Sequence, residues 1–152
     1  MPQAGFLGTA VTWSADVTLL LEIGMGMGLL AGASLARAKC YRAHAVCQSM
    51  IVLLNVGLIA MTMIPSLRHQ VIPKLPRKIA KPYYAFATAH ATLGGIAELG
   101  GLYILLSAGT KWLPEKIRIT RYKFWMRGVL ILWWLVLLLG IATYWHWNVP
   151  RS

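Results

Sequence analysis

Acidic residues are scarce. The chain has four, Asp16, Glu22, Glu98 and Glu115, against fifteen Lys and Arg, and charged residues make up only 12% of it. Average soluble proteins carry roughly twice that share, so a soluble globular domain is excluded as the expectation. Cysteine is rare as well: Cys40 and Cys47, in C-x6-C spacing, match no common metal or redox signature and read as small buried apolar residues on a reducing side. There is no G-x-S-x-G, no H-E-x-x-H, no Walker loop and no Rossmann fingerprint at a strand-to-helix turn, so neither a hydrolase nor a nucleotide-binding enzyme is expected. Residues 1–16 lack a basic segment ahead of the first apolar run, and no small-residue cleavage site follows that run, so a cleavable signal peptide is not expected.

What the sequence has in quantity is apolar length, with 58% hydrophobic residues. A helix needs about 20 mainly apolar residues to cross the hydrocarbon layer, and four such runs are present, at about 17–36, 44–64, 83–109 and 124–147. Short links between them predict one transmembrane domain over 1–152, an all-α, up-down-up-down four-helix bundle. Pro65 is expected to stop the second helix. The segment 65–82, with four prolines and five basic residues, is expected to be an extended, solvated loop or a docking surface for a partner or anionic lipid. Trp112 and Trp125 mark one interface, and Trp13, Tyr83, Tyr84, Tyr144, Trp145 and Trp147 the other.

The net charge of +11 does not predict nucleic-acid binding, because the basic residues fall between the apolar runs or at the C-terminus. Nine of them (Arg37, Lys39, Arg42, Lys111, Lys116, Arg118, Arg121, Lys123, Arg127) lie in and beside the first and third links. The other six (Arg68, Lys74, Arg77, Lys78, Lys81, Arg151) lie in the second link and the tail. Positive charge favours the inner side, which predicts a multi-pass protein of a plasma membrane with both termini outside.

Glu22 and Glu98 fall inside apolar runs, with Asp16 at the mouth of the first. An ionisable group in hydrocarbon costs about 2.5 kcal/mol or more, so it faces the bundle interior with a partner. It serves there as a proton path, as a polar contact to a ligand, or as a carboxyl bonded to a neighbour such as Asn55. His69, His90 and His146 share the outer side in this topology, while His44 opens the second helix at the other. His90, Gly94, Glu98 and Gly101 stack along one face at i, i+4, i+8 and i+11. Opposed histidines in a helix bundle hold haem iron, and glycine notches leave room for the ring. His90, His69 and His146, with Gly94, are therefore the candidate site for a b-type haem. Copper is the competing metal, although Met25, Met27, Met50, Met61 and Met63 form no tight cluster with histidine. Helix packing alone, with no cofactor, is the remaining reading of the glycines.

Several segments resemble a known family: Arg42-Ala43-His44 followed by Met50, Leu67-Arg68-His69, Y-A-F-A-T-A-H from Tyr84 to His90, and Trp133-Trp134 leading to Leu139-Gly140-Ile141-Ala142-Thr143-Tyr144. They are similar, over about 28–144, to the small bacterial four-helix membrane proteins of the CtaM type, which are linked to cytochrome oxidase assembly. The resemblance implies histidines at the start of the second helix, after it and early in the third, matched here by His44, His69 and His90. The family's histidine before the last helix has no counterpart between Trp112 and Phe124. The expected function is then a haem-associated, non-catalytic assembly factor or accessory subunit of a bacterial respiratory or electron-transfer chain. The alternatives are a cofactor-free structural subunit of a larger membrane complex, and a quinone- or proton-handling subunit built on Glu22 and Glu98.

Overall fold

The computed structural model describes residues 13–74 and 81–148. It is all-helical, with no strand among the described residues, and consists of α1 (Trp13–Arg37), α2 (Tyr41–Lys74), α3 (Pro82–Gly109) and α4 (Tyr122–Asn148). All four helices are long and apolar enough to cross a membrane.

Helix ends follow local chemistry. Lys39 adopts a left-handed conformation (φ 63°), while Cys40 N–H bonds Leu35 O at 2.9 Å and Lys39 N–H bonds Ala36 O at 3.2 Å, so α1 closes in a Schellman turn with lysine where glycine is usual. Pro82 occupies the first turn of α3, where its missing N–H is harmless. After α3, the basic link 110–121 is held against the helix. Ser107 Oγ accepts the Ile119 N–H at 2.9 Å, Tyr122 OH donates to Ser107 O at 3.0 Å, and Arg118 Nη2 donates to Thr110 O at 2.5 Å. Tyr103 OH also donates to Ile117 O.

Pro65 does not stop α2. The helix passes through it, widening into π-helical turns at Ile59–Met63 and Leu67–Val71 on either side of a short α-turn, and it ends in a 3-10 turn at Ile72–Lys74. The N–H of Ile64 reaches back five residues to Ile59 O, and that of Ile72 to Leu67 O. Widened turns absorb the bond proline cannot make, so the expectation of an extended segment from 65 fails for 65–74. Residues 75–80 of that segment lie outside the described residues.

The helices pack chiefly as two pairs, α1 with α2 and α3 with α4, joined through α1 with α4 and through α2 with α3. Met25, Leu29, Ile51, Ala97 and Trp133 form the main core, and Val71, Tyr84 and Ala87 form a second cluster backed by Leu67 and Trp147. Tyr84 and Trp147 are thus packing residues and Tyr144 bonds Asp16, whereas Trp13, Trp112, Trp125 and Trp145 are exposed. Buried polar groups and exposed apolar ones set the tone elsewhere. Asp16, Glu22, Asn55, Glu98 and Ser107 are buried, while Leu20, Met27, Leu53, Met61, Leu99, Ile131 and Leu138 face outward.

Candidate functional site

The polar residues of the interior lie along one side of α1, α3 and α4. Asp16 is fully buried and accepts a 2.5 Å hydrogen bond from Tyr144 OH. One turn along α4 towards its start, Gly140 faces α1 and α3 together. A Cβ at Gly140 would lie 2.9 Å from His90 Cε1 and 3.0 Å from Glu22 Oε2, so the imidazole and the carboxyl meet where α4 has no side chain. Deeper still, Asn55 Nδ2 donates to Glu98 Oε2 at 2.7 Å, and Glu98 Oε1 is buried without a partner among the described residues. Glu98 therefore takes the contact with Asn55 that its place in the helix suggested.

His90 is held in one orientation. Its Nδ1 lies 2.9 Å from Val136 O. A carbonyl oxygen only accepts, so Nδ1 carries the proton and Nε2 keeps its lone pair, the arrangement that orients imidazoles for metal ligation.

A cavity of about 960 Å³ occupies this end of the bundle, bordered by Glu22 and Asn55, by His69 and Gln70 from α2, by His90 and Gly94 from α3, and by Gly140 and Tyr144 from α4. That is the upper range of sites for small molecules and cofactors. The lining is mainly apolar, and it holds two imidazoles and one carboxylate residue but no Lys or Arg among the described residues. The cavity exists because α2 grips α1 only at the far end. There His44 Nδ1–H donates to Gly32 O at 2.7 Å and Gln48 Nε2 donates to Leu29 O at 3.2 Å. Beyond Asn55 the π-turns carry α2 to the start of α3, where Val71 packs on Tyr84 and Ala87.

The structure therefore brings His69 and His90 to one cavity with Gly94. It does not bring His146 there. His146 Nδ1 lies 2.9 Å from Ala142 O in its own helix, and its ring sits 5.1 Å from that of Phe86. Among the described residues no three His, Cys, Asp or Glu side chains form a metal-holding group, so a three-histidine set is not assembled. Cys40 is exposed, against the expectation of burial, while half-buried Cys47 sits 3.6 Å from Gly28 O.

No family model, curated protein or solved structure matches the chain.

Sequence reasoning missed Gly140 as a site residue. Its signal was visible as the one glycine in the second half of an otherwise bulky helix, a pattern that marks close approach by a neighbour. Tyr144 was read as an interfacial ring, and its bond to Asp16 had no signal in either residue's surroundings.

Proposed function

We propose that the chain is a multi-pass protein of a bacterial inner membrane, an up-down-up-down four-helix bundle with both termini outside. In this reading it is a haem-associated, non-catalytic accessory subunit or assembly factor of an electron-transfer chain. Carboxyls and Asn55 inside with leucine, isoleucine and methionine outside is the distribution a lipid environment favours. The CtaM-type motifs point the same way on function.

The observation that carries the cofactor is His90: an imidazole with Nδ1 committed to a backbone carbonyl, on a large cavity that His69 also borders. His90 would hold the iron through Nε2, with His69 as the second ligand. Gly94 and Gly140 would keep the walls flat for the ring. Haem bound there supplies one-electron chemistry; the chain supplies position and a mostly apolar surround. The test is an absorption spectrum of the full-length protein purified gently, with a pyridine extract for haem. A Soret band lost in His90→Leu supports the reading. A wild-type protein with no Soret band and no extractable haem overturns it.

A second reading, quinone or proton handling, is favoured by the meeting of Glu22 with His90 at Gly140. It expects Glu22→Gln with Glu98→Gln to abolish turnover of the host complex, and unchanged turnover rejects it. If neither function appears, a cofactor-free structural subunit of a larger complex remains.

A further inference from the structure

The continuation of α2 beyond Pro65 carries cations beside residues that border the cavity. Arg68 sits between Leu67 and His69, both of which line it. Lys74 follows three residues after Val71, and Val71, only 2% exposed, is seated on Tyr84 and Ala87 at the start of α3. Lys81 stands at the N-cap position of that helix. All three cations are exposed, and none of their side chains has an ion pair or hydrogen bond among the described residues.

The chain's own acids do not serve them. Asp16 is fully buried against Tyr144, Glu22 and Glu98 are buried, and Glu115 lies in the link between α3 and α4. Membrane topology does not explain them either. They stand at the end of the bundle shared by the start of α1 and the finish of α4, opposite the nine basic residues that the positive-inside tendency accounts for. The cavity offers no Lys or Arg among its described lining to pair with an anion. An acidic group on a ligand would therefore not settle inside. It would emerge at the rim, where exposed Ser14 and Gln70 give a polar mouth and Arg68 and Lys74 lie on the same stretch of α2 as Gln70.

We propose that Arg68, Lys74 and Lys81 form an anion-reading rim, so that the cavity selects an amphiphile with an apolar body and carboxylate groups at one edge. On the haem reading, on which this rests, those groups are the two propionates, directed to the rim.

The test uses the full chain in a neutral detergent, so that no anionic lipid competes. Ferric protoporphyrin IX and its dimethyl ester are titrated in parallel, with affinity read from the Soret shift. The wild type is expected to bind the diacid roughly tenfold tighter than the ester, the scale of one charge-assisted contact. Arg68→Gln with Lys74→Gln and Lys81→Gln should bind both at the ester's affinity, while Arg68→Lys with Lys74→Arg and Lys81→Arg should retain the preference and so exclude misfolding as the cause. Equal affinity in the wild type, or a preference that survives the Gln variant, overturns the rim and leaves the cofactor reading standing. Failure of both porphyrins to bind overturns both.

Discussion

The two ends of the bundle use glycine in opposite ways. Around Gly28 and Gly32 the notches of α1 are filled. A Cβ at Gly32 would run into Gln48 Nε2, and one at Gly28 would meet Ile51 at 2.8 Å, so α2 lies tight against α1. Gly94, Gly95 and Gly140 instead border the cavity. Nothing lies within 4 Å of a Cβ at Gly95, one at Gly94 would make only an ordinary contact with Val136 Cγ1 at 3.4 Å, and at Gly140 the space is taken by the functional groups of His90 and Glu22. The same small residue gives contact where a facing side chain inserts and gives room where the facing helix leans away. The tight end is expected to carry stability and the open end binding, and each can be altered without the other.

The largest effect should come at the open end. His90→Leu is expected to lower haem affinity at least about a hundredfold, since removing even an outer partner of a ligand costs 10–100-fold. Helix content by circular dichroism should be unchanged. A variant that binds haem like the wild type would move the site off His90. At the tight end, Gly32→Leu forces Gln48 out and should cost about 1–3 kcal/mol, read as a lowered unfolding midpoint in detergent. Gly95→Leu is its control, expected to leave that midpoint within about 0.5 kcal/mol while reducing porphyrin affinity through lost volume. If Gly32→Leu and Gly95→Leu destabilise alike, the contrast between the ends is broken.

Asn55 lies between the two ends, and Asn55→Ala should cost about 1–3 kcal/mol because Glu98 would lose the partner of its second oxygen as well. Adding Glu98→Leu should recover part of that loss, and a double-mutant cycle measures how much. Least of all, Cys40→Ser at an exposed position is expected to change stability by less than about 0.5 kcal/mol. A larger effect would mean that the α1–α2 turn depends on the thiol.

Much of the fold was legible because a span of apolar residues has few solutions. The four helices fall close to the predicted stretches except where α2 runs on to Lys74, and the burial of Glu22, Glu98 and Asp16 follows from the expectation that a carboxyl in an apolar run faces the bundle interior. The course of α2 after Pro65 was not legible. Proline predicts a break from its missing N–H, yet π-turns restore the bonding, and the choice depends on the docking of Val71 against α3. Of the candidate site, the depth of His90 was readable from its distance along the helix. The partner of each histidine was not, because His146 and His69 stand at similar depths and differ only in which way the helix turns them.

The sequence by itself determined how many helices there are, which are apolar, and which polar groups must be hidden, because hydropathy and the cost of buried charge act residue by residue. Only the tertiary structure decided that Glu22 and His90 meet at Gly140, that His69 shares their cavity while His146 does not, and that Arg68 and Lys74 ride on the helix that borders it. Those relations depend on the rotation and lean of whole helices, which are set by packing between residues far apart in the chain.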